Sequence, residues 1–476
     1  MNMDFASDFT MTINGRAAWA TETLAVVNPA TEAVIAHVPD IASVQLDEAV
    51  TAARQAFGDW KDVGIAKRQA LLRALGDRLA DHADEFALLL TREQGKPLAD
   101  AAMEIGTGIY WLQEMAGQAL EPDILSDAPE RRVELRHVPI GVVAAIAPWN
   151  FPVGLAIWKI APSLLAGNVM LLKPSPFTPL TSLKLGELAR EILPPGVLNV
   201  VSGSDRLGPW ITEHPGIDKI AFTGSTATGK AVMRSAAGNL KRVTLELGGN
   251  DPAIVLPDAD VEAVIPRLFW AAFANAGQIC IASKRIYVHE SLYDRFATAM
   301  VDYAKSVKIG DGTEQGVQIG PIQNRPQFDR VRALLADARS AGTRFLLGGD
   351  VPEGQGYFIP IAIADNPDEK SRVVAEEAFG PVLPLLKFSN VDEVVARAND
   401  SPYGLAASVW GTNLDAAQAV ADRIEAGTVW INTVQDLGPG QPFGGHKQSG
   451  LGVENGREGL LEYCNPQVIV RCAAPT

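Results

Sequence analysis

An α/β fold organised on parallel sheet is the class this sequence predicts, and two observations carry the prediction. Between residues 142 and 245, short uniformly apolar runs alternate with stretches of helical period, the pattern of strands covered by helices on both faces. With 476 residues, 47% of them hydrophobic, the chain exceeds the size at which one core usually divides, so two or three subdomains are expected.

Taken in order, Asn28-Pro-Ala-Thr31 reads as a turn, and 45–60, 67–90 and 101–119 read as helices, the last with Tyr110 and Trp111 on its apolar side. Gly95-Lys-Pro97 breaks the pattern before the third helix. Residues 130–138 alternate polar and apolar, which predicts a half-exposed strand, a projecting arm. Strands are expected at 142–147, 169–172, 198–201, 219–222 and 243–245, with helices at 153–165, 181–192 and 227–237 between them. A second αβ pattern follows, with helices near 261–274, 292–306, 328–341, 391–399 and 414–424 and strands at 285–288, 382–388, 407–410 and 428–431. Residues 467–470 read as a strand in need of a partner. No internal repeat or low-complexity tract interrupts this order.

Composition removes several classes of function. With 41 basic and 56 acidic residues the net charge is −15, so the average field repels nucleic acid and anionic membranes. Cys280, Cys464 and Cys472 are too few for a disulfide framework in a chain this long, and no Cys/His cluster has zinc spacing, so no metal is expected. That usage fits a reducing cytoplasm. The first ten residues carry Asp4 and Asp8 and lack the basic-then-apolar order of a signal peptide. Val138 to Trp158 has no charged side chain and is long enough to span a bilayer. Pro139, Pro148 and Pro152 divide it into strand, loop and helix start instead.

Chemistry concentrates between Thr244 and Cys280. Cys280 follows Gly277-Gln-Ile, and Glu246 ends a strand 34 positions earlier. A thiolate is a strong nucleophile, and a buried carboxylate of raised pKa accepts protons near neutrality. Cys280 is therefore read as nucleophile and Glu246 as base, against the bland alternatives of a packed small hydrophobe and a solvated strand end. Phe222-Thr-Gly-Ser-Thr-Ala-Thr-Gly-Lys230 sets Gly224 and Gly229 between strand and helix, where backbone N–H groups can meet a pyrophosphate. A simple N-cap by Ser225 or Thr226 is the competing reading. Lys173, in Leu172-Lys-Pro-Ser-Pro176, follows another strand whose carboxyl end is a favoured ligand position. Asn150, held in Pro148-Trp-Asn-Phe-Pro152, suits an amide donor to a developing oxyanion, or is part of a rigid turn.

These pieces, with Leu245-Glu-Leu-Gly-Gly249, Glu376-Glu-Ala-Phe-Gly-Pro-Val382 and Pro442-Phe-Gly-Gly-His-Lys-Gln-Ser-Gly450, resemble the NAD(P)-dependent, non-phosphorylating aldehyde dehydrogenases along nearly the whole chain. The resemblance implies that Cys280 attacks an aldehyde, that Asn150 and the Cys280 N–H hold the oxyanion, and that Glu246 activates the water that hydrolyses a thioester. It implies Lys159 on a proton path near Asn150. Trp149, Lys173, Ser175, Gly224, Ser225, Gly229, Leu247, Glu377 and Phe379 are the implied cofactor contacts, with Glu377 on the nicotinamide ribose and Phe379 against the ring. Phe151, Trp158, Leu437 and Phe443 are expected to line an apolar tunnel.

The implied architecture is a Rossmann-variant cofactor domain from 1–118 and 140–248 and a catalytic domain from 249–448. A strand arm at 119–139, with the tail 449–476, bridges a homodimer or homotetramer. Departures from the family pattern bear on specificity. Pro176 stands where many NAD-preferring members carry glutamate, so NAD is the expected cofactor with NADP use allowed. Trp158 stands where succinate-semialdehyde members tend to carry arginine, which favours an apolar or aromatic aldehyde. Val453, where many members have arginine, has no functional account. A CoA-acylating relative, a thiol hydrolase and a silent binding protein on the same fold are the alternatives. Intact Glu246, the lack of a histidine companion motif, and intact Cys280, Glu246 and Asn150 weigh against them in turn.

Overall fold

The computed structural model describes residues 3–473; the outermost positions of the expected first and last segments, 1–2 and 474–476, lie outside it. Its first sheet has eight strands in the order Arg16–Ala18, Met11–Ile13, Leu198–Val200, Val169–Lys173, Val142–Ile146, Lys219–Thr223, Arg242–Glu246 and Gly450–Leu451. The five central strands run parallel, and antiparallel strands close both edges. Every residue of Val142–Ile146, Val169–Lys173 and Lys219–Thr223 is buried, which explains their unbroken apolar character: helices cover both faces.

Chain order in this sheet reverses at one place. From Val142–Ile146 the chain steps outward twice on one side, then returns to the other side at Lys219–Thr223. The carboxyl ends Ile146 and Thr223 therefore flank a topological switch point, where open α/β sheets bind ligands. The loop carrying Asn150 leaves one of these strands and Gly224-Ser225 leaves the other.

A second sheet orders Phe345–Leu347, Ala362–Asp365, Val382–Phe388, Ser283–His289, Asp251–Val255, Ala406–Trp410 and Thr428–Ile431, parallel throughout except for its first strand. Each sheet has its own apolar core, and a smaller cluster containing Cys280 stands apart from both. A third sheet is antiparallel: Arg131–Pro139 pairs with Asp123–Ala128 on one side and Cys464–Cys472 on the other. The strand expected at 467–470 thus pairs with the strand expected at 130–138.

Besides adding elements the sequence reading did not list, such as the hairpin Glu22–Val27 and Val34–Asp40 and the strand Ala362–Asp365, the structure corrects the element list in three places. The stretch 67–90 is two helices, Ile65–Ala80 and Ala83–Gln94; the apolar spacing runs across the break at Asp81-His82, so periodicity alone could not find it. Tyr110 is half exposed while Trp111 is buried, because the buried stripe of helix Leu98–Met115 follows Glu104, Gly108, Trp111 and Met115. The central strand Asp251–Val255 opens with Asp-Pro, and its register shifts between those two residues. The skipped residue, Lys284, lies on the partner strand, and Pro252 stays opposite Arg285 near the strand's start, where proline is tolerated.

One helix contact fixes the site's scaffold. Helix Leu98–Met115 packs on helix Pro152–Ala166 so closely that a Cβ on Gly108 would lie 2.6 Å from Ile157 Cδ1. A side chain there would have to displace the Ile157 methyl, on the helix pair that carries Glu104, Trp111 and Trp158.

Candidate active site

Cys280 lies just beyond a strained turn. Asn275, Ala276 and Gly277 all have positive φ, at 52°, 54° and 72°, a run that costs the alanine alone about 1–2 kcal/mol. At Gly277 a Cβ would sit 2.3 Å from the Gly380 carbonyl oxygen and 2.4 Å from Lys284 Nζ, so only glycine fits. Fully buried Gln278 fastens the turn: its Nε2 donates to the Asn275 carbonyl (2.8 Å) and its Oε1 accepts from Gln323 N (2.8 Å). The half-buried thiol that emerges is pushed well above its usual range by burial, then by the carboxylates of Asp251, Glu246 and Glu377. At rest it is a neutral thiol, and attack requires a proton acceptor.

Asn150 is tied to the same turn. Its Nδ2 donates to the Gln278 carbonyl (2.9 Å), and its own carbonyl accepts from Asn275 Nδ2 (3.1 Å) and Lys96 Nζ (2.9 Å). Lys96 pairs with Glu104 at 2.5 Å, and Glu104 Oε1 accepts from Val153 N and Gly154 N in the first turn of the following helix. That carboxylate occupies the helix N-terminus, where its charge is favoured. The loop is thereby fixed from both ends, with one amide N–H of Asn150 left to give.

Glu246 ends strand Arg242–Glu246 and is buried, with neither carboxylate oxygen hydrogen-bonded. Burial pushes its pKa well above the usual carboxylate range; the Glu454 carboxylate raises it further and Lys159 opposes. Lys159, fully buried, donates to Thr223 Oγ1 (2.7 Å) and pairs with Glu454 Oε1. The lysine therefore faces Thr223 and Glu454, and the Lys96–Glu104 pair stands behind Asn150. The Gly248-Gly249 pair after Glu246 has a steric cause: a Cβ on Gly248 would lie 2.4 Å from Glu377 Oε2, and one on Gly249 2.3 Å from the Cys280 carbonyl oxygen.

Around the switch point, Ser225 caps helix Thr226–Ala236 by accepting from Thr228 N at 3.2 Å, so the capping reading holds for that side chain. Gly229 lets the helix press on Leu247, whose Cδ2 would be 2.4 Å from an added Cβ; Gly224 is likewise closed by the Phe222 ring. Lys173 is buried, has no carboxylate within ion-pair reach among the described residues, and makes a single 3.3 Å contact to the Pro174 carbonyl. Burial pushes it down to about 8. Ser175 Oγ accepts from Phe177 N (3.3 Å). Glu377 accepts from Gly249 N (3.0 Å), and burial pushes it up to about 7. Phe379, held at φ 47° with its carbonyl and that of Ala378 bonded by Gln327 Nε2 (3.0 Å each), meets Trp149 edge-on at 5.2 Å.

Opposite the carboxylates, Phe151, Trp158, Leu437 and Phe443 gather with Trp430 and Ile281 in the apolar cluster of Cys280. Trp158 stacks on Trp111 (5.4 Å, 16°) and meets Phe443 edge-on (5.9 Å). Trp111 Nε1 donates to Asn455 Oδ1 (2.9 Å), and Trp430 Nε1 donates to the Asp436 carbonyl (3.0 Å). Sequence reasoning missed Glu454, Lys96, Glu104, Trp111 and Trp430. Glu454 is 208 residues from Glu246 and has no motif of its own; a Glu following the unexplained Val453 was the nearest signal.

Comparison with known proteins agrees with this geometry. Residues 17–469 match the Aldehyde dehydrogenase family. A putative aldehyde dehydrogenase, FUS7, of Gibberella fujikuroi is 43% identical over 452 residues, covering 95% of this chain and 96% of the relative. Phenylacetaldehyde dehydrogenase of Pseudomonas fluorescens is 41% identical, covering 95% and 93%. The NAD+ complex of an aldehyde dehydrogenase from Bacillus cereus superposes with a TM-score of 0.96 at 38% identity, covering 98% of this chain and 97% of that one. The chain belongs to the aldehyde dehydrogenase family. Its class of chemistry is the oxidation of an aldehyde.

Proposed function

We propose that this enzyme oxidises an apolar or aromatic aldehyde to the carboxylic acid with NAD, water rather than coenzyme A taking the acyl group. The observation that carries the reading is Glu246, a buried carboxyl of raised pKa with both oxygens uncommitted, near enough to the Cys280 thiol to raise its pKa. The donors at the switch point fit a dinucleotide: the helix N-terminus at Thr226, the orphaned Lys173 ammonium, and Ser175. Glu377 would hold the nicotinamide ribose, and Leu247, Trp149 and Phe379 would bound the ring. NAD, when bound, supplies the hydride acceptor.

The chain's residues do the rest. Cys280 Sγ gives its proton to water and bonds to the carbonyl carbon while the C=O π pair moves onto the oxygen. Asn150 Nδ2 and the Cys280 N–H donate to the oxygen as charge develops there, and the rigid turn means little reorganisation is needed. After oxidation leaves a thioester on Cys280, Glu246 takes a proton from the attacking water, the C–S bond breaks, and the acid departs. Phe151, Trp158, Leu437 and Phe443 hold the substrate tail in an apolar wall, the Lys96 ammonium over the Phe151 ring being paired with Glu104, consistent with the phenylacetaldehyde relative. In this reading 1–118 and 140–248 bind cofactor and 249–448 carries the nucleophile. The arm 119–139 and tail 449–476 join subunits of a homodimer or homotetramer through a sheet exposing Ile124, Leu125, Val468 and Val470. Three free cysteines suit a reducing cytoplasm; among the described residues no helix is long and apolar enough to cross a membrane.

The test is NADH formation with arylacetaldehydes, alkanals and carboxylated aldehydes, with and without coenzyme A, and identification of the product. The reading expects free acid, coenzyme A independence and the highest kcat/KM among apolar aldehydes. Acyl-coenzyme A as product, or preference for a carboxylated aldehyde, contradicts it.

A further inference from the structure

Lys284 takes no part in the proposed mechanism, yet it is a buried charge beside the reacting residues. It is 3% exposed, and among the described residues its ammonium bonds two carbonyls rather than a carboxylate. Nζ donates to the Gly380 carbonyl at 2.8 Å and to the Ala272 carbonyl at 3.1 Å. Burial pushes its pKa down to about 7, and the Glu377 carboxylate opposes. A buried ammonium without an ion-pair partner is disfavoured against a neutral donor, so packing alone does not explain the residue.

An irregularity in the second sheet aims this side chain. Strand Ser283–His289 pairs with Asp251–Val255 as Ser283 with Asp251 and then Arg285 with Pro252, so Lys284 is the skipped residue. Bulges are rare between parallel strands, and beside active sites they re-aim a side chain. Here the side chain lies against the turn before Cys280: a Cβ on Gly277 would stand 2.4 Å from Lys284 Nζ and 2.3 Å from the Gly380 oxygen. Ala272 is in the last turn of helix Val261–Phe273, whose carbonyl end favours a cation. Gly380 directly follows Phe379. Three consecutive carbonyls of that loop are thereby held by side chains, Ala378 and Phe379 by Gln327 from helix Arg325–Ser340 and Gly380 by Lys284 from the nucleophile's side.

We propose that Lys284 is a positioning residue for hydride transfer, holding the 376–380 loop at a fixed distance from the Cys280 turn. The proposal rests on Cys280 being the nucleophile and on Glu377 and Phe379 holding the nicotinamide end of the cofactor. In that step the carbon bonded to Cys280 Sγ gives hydride, with both electrons, to the cofactor, and a pair on its oxygen re-forms the C=O of a thioester. The rate depends on the separation of donor and acceptor: a misplacement of about 1 Å caused away from the reacting atoms costs about 10²-fold. The nucleophile stands on one segment and the ring contacts on another, and the Lys284 ammonium joins the two.

Lys284→Met keeps the bulk of the side chain and removes the donor, and Lys284→Gln keeps an amide donor one atom further back. In the cofactor-free enzyme, hydrogen exchange read by mass spectrometry should quicken over 376–382 in Lys284→Met. It should stay at the wild-type rate over 275–280, which Gln278 still fastens. Stopped-flow NADH formation, with an arylacetaldehyde carrying hydrogen or deuterium at C1, should show a burst slowed roughly tenfold. Its primary isotope effect should be at least as large as the wild type's, and Lys284→Gln should fall between the two. A wild-type burst rate, or wild-type exchange over 376–382, would overturn the proposal. So would a slowed burst without an isotope effect, which puts the loss on attack by Cys280, or faster exchange in both segments, which marks a general structural role. Should Lys284→Met not fold, Lys284→Gln decides by the same criteria. Phe379→Ala separates the two levels: unchanged NAD affinity and an unchanged burst there defeat the nicotinamide assignment itself.

Discussion

The two sides of Cys280 are built on opposite rules. On one side, Phe151, Trp158, Trp430 and Phe443 form a wall in which the buried indole N–H of Trp430, and that of Trp111 behind, is paired. On the other, Glu246, Glu454 and Tyr463 leave buried polar atoms without protein partners. A core selected for stability alone tolerates the first arrangement and penalises the second. In the proposed reading the apolar side holds the substrate and the side with unpaired carboxylate oxygens handles protons and water; behind the wall, Asn455 Nδ2 also lacks a protein partner.

The largest effect expected from breaking this division is at the nucleophile. Cys280→Ser should bind cofactor as the wild type does, measured by fluorescence titration, and lose nearly all turnover; a wild-type rate would remove the assignment. Asn150→Ala should cut kcat by about 10²–10³-fold, the loss of one preorganised oxyanion donor. Cofactor affinity should barely change, because the role proposed for Asn150 is on the oxyanion and not on the cofactor; a loss confined to KM would mark it as a loop fastener only. The wall itself is worth less. Trp158→Ala removes the stack on Trp111 and the edge contact with Phe443, and should raise KM for an arylacetaldehyde about 3–10-fold, the value of roughly 0.5–1.5 kcal/mol per aromatic contact. An equal rise for a short alkanal would show that the wall is not selecting aromatic rings. An effect of similar size is expected in the cofactor pocket, at Pro176. Pro176→Glu should lower the NADP-to-NAD ratio of kcat/KM by roughly tenfold through charge repulsion of a 2′-phosphate; an unchanged ratio would locate selectivity elsewhere in the cofactor pocket.

What could be read in the sequence, and what could not, follows the range of the forces involved. Parallel strands such as Val169–Lys173 announce themselves because burial on both faces demands continuous apolar residues. Gly277 and Gly249 stand out because neighbouring backbone allows nothing larger, and Gly248 because the Glu377 carboxylate fills the space; they bracket the residues proposed to act. Glu454 gave no local signal: its meaning comes from Lys159, 295 positions away. Trp111 is silent for the same reason, its Asn455 partner being 344 positions distant. The strand Asp251–Val255 was hidden by an Asp-Pro start, which is tolerated only because it lies near the strand's beginning. The helix break at Asp81-His82 escaped because apolar spacing continues through it.

The division between the two sides is tested most directly by stopped-flow NADH formation in Glu246→Gln with an arylacetaldehyde. In the proposed mechanism acylation uses Cys280, Asn150 and the apolar wall, all intact in this variant, whereas hydrolysis uses Glu246. The account predicts a burst approaching one NADH per active site, followed by a steady state slower by about 10²–10⁴-fold. A wild-type steady state, or loss of the burst together with turnover, would contradict it.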